Sequence, residues 1–383
     1  MHAWTGKLLR VDLTAGSVAV EEIPRTQLQD YLGGRGLAVR YLMDEIDPQV
    51  EPLSPENKLI MASGPLTGTP IPTGARYMVV TKSPLTGALT CSNSGGFFPT
   101  EMKKAGFDMI IIEGKAAQPA YLFVEDGRAE LRPADHLWGR IVPEADRILR
   151  EETAESAKTA IIGPAGEKQV RIASIMNDKH RAAGRAGVGA VMGAKNLKAV
   201  VLREYGTAYM PPVTSGAGMC PTRNFQTGVF EGAEKISGLV LTDKYLVRPG
   251  ACWGCPIACG RITRLDHERW QGQGEGPEYE TLASLGSSCG VDELEAIIKA
   301  NYLCNELGLD TISMGMTIGC AMELFEKGLL PREDVGRTLN FGDAEAMVAL
   351  TEQTGLREGF GNQLAEGSYR LAQKYGHPEY SIT

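Results

Sequence analysis

The chain has 383 residues, enough for two or three domains with cores of their own. Hydrophobic residues at 43% and charged residues at 22% describe a globular protein, and a net charge of -8 excludes the basic footprint that nucleic acid or an anionic membrane surface selects. No apolar run is long enough to span a bilayer, and the opening MHAWTGKLLRVDL has no basic stretch followed by an apolar one. We therefore expect a cytoplasmic protein whose cysteines serve as thiols or metal ligands, not disulfides.

Residues 1–203 read as a β-rich domain with a few helices. Gly6–Leu13 and Ser17–Glu21 flank the turn Thr14-Ala15-Gly16 and predict a hairpin. Gln27–Leu42 is helical but broken at Gly33-Gly34-Arg35-Gly36. Short apolar runs then recur between glycine and proline turns: Leu59–Ala62, Tyr77–Thr81, Met109–Glu113, Ala120–Val124, Thr159–Ile162, Arg171–Met176 and Ala199–Leu202. The connections are rich in glycine and arginine, notably Thr73-Gly74-Ala75-Arg76, Ser92-Asn93-Ser94-Gly95-Gly96 and the stretch from Asn177 to Gly189. Glycines let backbone N–H groups approach an anion and arginines add bidentate charge, so these loops suit a ligand with phosphates and polar edges. None follows the strand–GxGxxG–helix order or carries GxxxxGK[ST].

The character changes near Tyr205, where we place a boundary, making 204–383 a second, mainly helical domain. Val291–Leu307, Thr311–Lys327 and Asp343–Thr354 carry apolar residues at helical spacing, with Asp292 where an N-cap belongs and Gly308 and Gly328 where helices stop. In this domain ACWGCPIACGR places Cys252, Cys255 and Cys259 at spacings of three and four, which on a helical or near-helical path puts three thiols on one side. Such thiols want a soft metal, and we favour an iron–sulfur cluster over zinc. The order C-x2-C-x3-C reverses the run of radical-SAM enzymes, and Pro256 suits a loop better than a long helix.

Taken together, SPENKLIMASGPLTGTPIPTGARY (54–77), TKSPLTGALTCSNSGGFF (81–98), ASIMNDKHRAAGRAGVGAVMGAKNLKAV (173–200), PTRNFQTGVFEGAEKISG (221–238), the cysteine run and GPEYETLASLGS (276–287) make the chain resemble the tungsten-containing aldehyde ferredoxin oxidoreductase family. The resemblance implies an α+β protein, with a β-rich pterin-binding base domain followed by a helical domain. It implies a tungsten or molybdenum bis-pterin contacted by Arg76, Asn93, Gly95, Arg181, Ala182, Gly184 and Arg185, and a magnesium ion held by Asn93 and Ala182. Cys252, Cys255 and Cys259 match three of the four thiolates of a [4Fe-4S] cluster. Asn305, Gly308, Leu309 and Asp310 match a second pterin element, with Asn305 standing where the family has aspartate; from the residues alone this is equally a helix stop. Tyr279 and Glu280 match the active-site pair of the family.

The implied reaction is aldehyde oxidation to the carboxylate, with electrons passing to ferredoxin or an iron–sulfur electron-transfer subunit, and with a homodimer as one arrangement. Two departures are expected to matter. An internal segment usual in the family is missing around Glu204, and the chain ends at Thr383, where members continue into a third domain that holds the fourth thiolate. Cys220, Cys289, Cys304 and Cys320 are the nearby substitutes, and each reads better as a small buried hydrophobe. A non-catalytic cofactor- or cluster-binding module, or one half of a split enzyme, is the alternative.

Overall fold

The computed structural model of the protein describes residues 4–69, 71, 73–125, 127–203, 222–226, 230–255 and 258–382. The expected boundary at Glu204, and with it Cys220 and Pro256, lies outside those residues. The described residues fall into two compact units, one drawn from Met1–Gln169, Ala173–Pro212 and Ala251–Ala258, the other from Val170–Ile172, Val213–Gly250 and Cys259–Thr383. The architecture is α+β, as the sequence predicts.

Two six-stranded mixed sheets form the first unit. One contains β1 (Lys7–Asp12), β2 (Ser17–Glu22), β3 (Leu59–Ser63), β4 (Tyr77–Lys82), β5 (Leu89–Ser94) and β6 (Met109–Glu113), in the order β2-β1-β6-β3-β4-β5. The other contains β7 (Ala120–Glu125), β8 (Arg128–Pro133), β9 (Lys158–Ile161), β10 (Ile175–Asn177), β11 (Arg181–Ala183) and β12 (Leu197–Arg203), in the order β11-β10-β9-β12-β7-β8. One pair in each sheet is parallel, β1 with β6 and β7 with β12, and the other pairs are antiparallel.

Side chains alternate between two buried layers, because successive residues of a strand point to opposite faces. Leu9, Met61, Val79, Ile110 and Ile112 of the first sheet join Leu122, Val124, Ala160, Val200 and Leu202 of the second in one core. The alternate residues Leu8, Ile60, Val80, Met109 and Ile111 pack with Leu28 of α1 (Arg25–Tyr31) and with Leu37 and Leu42 of α2 (Gly34–Glu45). Phe123, Ile161, Ala199 and Val201 do the same with Val142, Ala145 and Leu149 of a third helix, 142–152. Strands covered on both faces read as continuous apolar runs, which is why they are visible in the sequence. Each fully buried Ile or Val contributes roughly 1.5–3 kcal/mol.

The second unit contains the expected helices, Leu294–Leu307, Thr311–Glu326 and Ala344–Leu356. Gly308 closes the first in the left-handed region at φ 75°. Asp310 and Asp343 start the next two, accepting from the Ser313 and Ala346 N–H groups at 3.0 and 2.8 Å. Asp292 is not a cap: residue 293 holds that place with no side-chain bond, and Asp292 pairs with Lys235. A three-stranded antiparallel sheet that the sequence does not announce also belongs here, made of β13 (Leu246–Gly250), β14 (Gly260–Asp266) and β15 (Gln271–Glu275). Among the described residues, no helix is long and apolar enough to cross a membrane.

Candidate cofactor site

In the first unit the glycine–arginine loops gather at one edge. β4 pairs with β5 so that Tyr77 faces Ser94 and Met78 faces Asn93, which sets Arg76 beside Asn93. The Arg76 guanidinium donates to Asn93 Oδ1 at 3.0 Å, and both side chains are exposed. β10 and β11 form a hairpin in which Asn177 faces Arg181 and Met176 faces Ala182. Asp178 and Lys179 turn it in the left-handed region, at φ 50° and 68°, without a glycine. β11 approaches β5, and so does the turn at 185–187. The first unit therefore brings Arg76, Asn93 and Gly95 together with the segment holding Arg181, Ala182, Gly184 and Arg185.

The cysteine run meets that edge. Residues 251–258 belong to the first unit although their neighbours on either side belong to the second. Cys252 and Cys255 are buried in a small cluster with Ala75, flanked by Trp253. Gly95 explains the fit: a Cβ there would sit 2.8 Å from Cys252 Sγ and 3.4 Å from the Arg76 guanidinium. The Trp253 N–H donates to the Gly96 carbonyl at 3.3 Å.

Around the thiols the described residues follow turns and no helix. Cys252 to Cys255 is a turn closed by the Cys255 N–H on the Cys252 carbonyl at 3.1 Å, and Gly254 and Ala258 take left-handed φ values of 64° and 45° that no α-helix tolerates. Cys259 is exposed and belongs to the second unit. Among the described residues, no three His, Cys, Asp or Glu side chains are already arranged to hold a metal. Cys289, Cys304 and Cys320 are buried, and burial raises all three thiols, Cys320 to about 12. Cys289 Sγ donates to the Ser284 and Gly315 carbonyls. These three are packing residues.

The donors of the first unit suit an anionic, polar-edged ligand. Three side-chain atoms near these loops, Ser92 Oγ, Asp178 Oδ1 and His180 Nδ1, are buried without a hydrogen-bond partner among the described residues. Burial, aided by Lys179 and Arg181, pushes His180 down to about 4, so its imidazole is neutral. Burial raises Asp178, against the pull of the Phe97 and Phe98 N–H groups.

In the second unit, β15 leads through Gly276-Pro277 to a turn at Tyr279–Thr281 and a π-helical turn at 282–286, a form often found at functional sites. Tyr279 and Glu280 are exposed on that turn. Their approach is held from the helix behind: Asn301 and Asn305, four residues apart and so on one face, both donate to the Glu275 carbonyl, at 2.9 and 3.1 Å. Asn305 is thus a strand anchor, and the i,i+4 asparagine pair was the available signal for Asn301. Thr263 Oγ1 donates to the Gly276 carbonyl at 2.7 Å, and Arg261 pairs with Glu278 at 3.0 Å. Leu309 is buried, and Asp310 is committed to its cap. Two surface hollows of about 630 and 500 Å³, one around Tyr245 and Glu295 and one around Trp270 and Leu303, contain none of these residues.

The profile described as aldehyde ferredoxin oxidoreductase, N-terminal domain, matches residues 8–204, and the one described as domains 2 and 3 of the same enzyme matches 188–383. The chain belongs to the aldehyde ferredoxin oxidoreductase family. It is 48% identical to the tungsten-containing aldehyde ferredoxin oxidoreductase of Pyrococcus furiosus over 421 positions, covering 100% of this chain and 69% of that protein. The counterpart from Thermococcus kodakarensis is 46% identical with the same coverage. The P. furiosus aliphatic sulfonate oxidoreductase, WOR-like subunit, is 36% identical over 98% of this chain and 68% of its own. Alignments of 421 positions against 383 residues mean that the first two relatives carry residues inside the matched span that this chain lacks. The active site complex BamBC of benzoyl coenzyme A reductase, in complex with 1,5-dienoyl-CoA, superposes with a TM-score of 0.87 at 31% identity, covering 99% of this chain and 64% of that one. The family is one of oxidoreductase enzymes, and the fold is shared along the whole of the chain.

Proposed function

We propose that the protein oxidises aldehydes to carboxylic acids at a tungsten (or molybdenum) bis-pterin, and passes the electrons through a [4Fe-4S] cluster to ferredoxin or a related iron–sulfur subunit. The single observation that carries this reading is the seating of Cys252 against Gly95, which also lies beside Arg76; a cluster-type thiol thus stands at the edge of the loops suited to the pterin phosphates. When bound, the metal–pterin group and the cluster supply the redox chemistry: they take two electrons as RCHO and water become the carboxylic acid and two protons. The protein supplies positioning, charge and proton transfer.

Arg76, Arg181 and Arg185 would neutralise phosphate, and Asn93 and the Ala182 carbonyl are hard oxygen donors of the kind magnesium takes alongside phosphates. Gly95 and Gly184 would let the backbone come close. Cys252, Cys255 and Cys259 would hold iron. In the second unit Glu280 would take the proton lost as water adds to the aldehyde, with Tyr279 beside it. Asn305, Gly308, Leu309 and Asp310 remain the proposed second pterin element. A homodimer is the proposed assembly.

Elemental analysis of anaerobically purified protein, followed by an aldehyde assay with ferredoxin as acceptor, tests the reading. Tungsten or molybdenum near one per chain, with iron near four, and aldehyde-dependent reduction would bear it out. Iron without tungsten or molybdenum would leave a cluster-binding module. Zinc alone would overturn both, and activity that needs an added polypeptide would mark half of a split enzyme.

A further inference from the structure

Asn177 ends β10 and Asp178 opens the turn after it; neither carries a role in the function proposed above, yet both bind the Ser94–Phe98 loop. Asn177 is fully buried. Its Oδ1 accepts from Ser94 Oγ at 2.7 Å and from the Tyr77 hydroxyl at 3.3 Å, while its Nδ2 donates to the Gly95 carbonyl at 2.8 Å. Asp178 Oδ2 accepts from the Phe97 and Phe98 N–H groups at 2.6 and 3.2 Å and from Asn177 Nδ2 at 3.0 Å. The fit admits no side chain between them, since a Cβ on Gly96 would lie 2.2 Å from Asp178 Oδ2.

The loop so fastened has two other faces. Gly95 lies against Cys252 Sγ and Arg76, and the Gly96 carbonyl accepts from Trp253. We propose that Asn177 and Asp178 are positioning residues that fix where the Cys252 thiol sits relative to Arg76. They act through the loop and touch neither metal nor pterin. A buried Asn177 and a half-buried Asp178, sharing six hydrogen bonds, suit a site whose geometry must be set before its ligands arrive. The inference rests on the reading of this edge as the cofactor and cluster site, but its first test does not need a loaded enzyme.

The probe is a thiol reagent applied to the metal-free full chain, with labelling of each cysteine followed by peptide mass spectrometry. Asp178→Ala should speed labelling of Cys252 by about tenfold, while Cys289, Cys304 and Cys320 stay protected. Asp178→Asn, which keeps an acceptor for the two N–H groups, should return the rate close to that of the unmodified protein. Asn177→Asp, which removes the donor to Gly95 at constant size, should behave like Asp178→Ala and serves in its place if that variant does not fold. An unchanged Cys252 rate in a folded variant, or all buried thiols opening together, would overturn the proposal. In iron-loaded protein the same variants should shift the EPR g-values of the cluster. If the unmodified chain takes up no iron but the labelling contrast holds, the functional reading fails and the positioning role stands. If it takes up iron and the contrast is missing, the positioning role fails alone.

Discussion

Lys195 is fully buried, and its ammonium donates to the Pro55, Asn57 and Gly114 carbonyls. Burial pushes it down to about 8, with Lys58 adding and Glu113 and Glu56 opposing. Below pH 8 Lys195 is charged in both states, and only the folded chain bears the cost of burying that charge. Between 8 and the ordinary 10.5 the unfolded state binds the extra proton, so stability rises with pH by up to about 1.4 kcal/mol per unit in that window. Lys195→Met should abolish that rise, and it should lower stability at pH 7 by about 2 kcal/mol because three buried carbonyls lose their donor. Denaturant unfolding at several pH values measures both; parallel pH profiles for the two proteins would sink the argument. Glu280 is a different kind of residue, exposed on its turn and bound by no constraint of packing. Under the proposed function Glu280→Gln should cut kcat by about 10²–10⁴ while leaving KM, metal content and melting temperature alone. A melting temperature that falls with kcat would return Glu280 to a structural role.

At the scale of elements, the helix from Thr311 poses a question of assignment. Asp310 caps it, and the same carboxylate is the proposed pterin contact. Serine caps about as well as aspartate, so Asp310→Ser should hold stability within about 0.5 kcal/mol. If the carboxylate also meets the cofactor, pterin content measured on the purified protein should fall even so; unchanged content would leave Asp310 a cap only. What the sequence disclosed about the elements follows a physical line. β3, β6 and β12 were legible because both their faces are buried and they are almost wholly apolar. β13 and β15, LVRPG and QGQGE, carry few strand-forming side chains. In β15 the ring of Tyr302 fills the space beside Gly272 and Gly274, where a Cβ would come within 2.9 and 2.8 Å of it. The strand's packing thus lies in a helix residue that reads only as helix core. The run expected as a strand from Arg171 keeps only Ile175–Asn177, since the Arg171 N–H donates to the Ala365 carbonyl and the Ile172 carbonyl accepts from Asp310, tying 170–172 to the second unit. At the site, arginines, glycines and cysteines announced themselves by type. Asn177 and Asp178 did not, because the Tyr77, Ser94, Gly95, Phe97 and Phe98 groups they bind are brought near only by the fold.

At the scale of the whole molecule, chain order and spatial membership part company. The sequence suggests a cut near residue 204, yet 251–258 completes the first unit and 170–172 completes the second. A fragment of residues 1–203 would keep both six-stranded sheets and the cores that join and cover them. It would lose Cys252 and Cys255 from beside Ala75, leaving the exposed surface around Gly95 that they bury in the full chain. We expect such a fragment to show a β-rich circular dichroism spectrum and a cooperative melt, several degrees below that of the full chain, because a small apolar cluster and the Trp253–Gly96 bond are gone. It should take up no iron on reconstitution under conditions in which the full chain does. Iron bound by the fragment at the level of the full chain would show that the cluster thiols lie elsewhere. A fragment that cannot fold at all would mean that residues 251–258 hold up the sheets themselves and do more than line their edge.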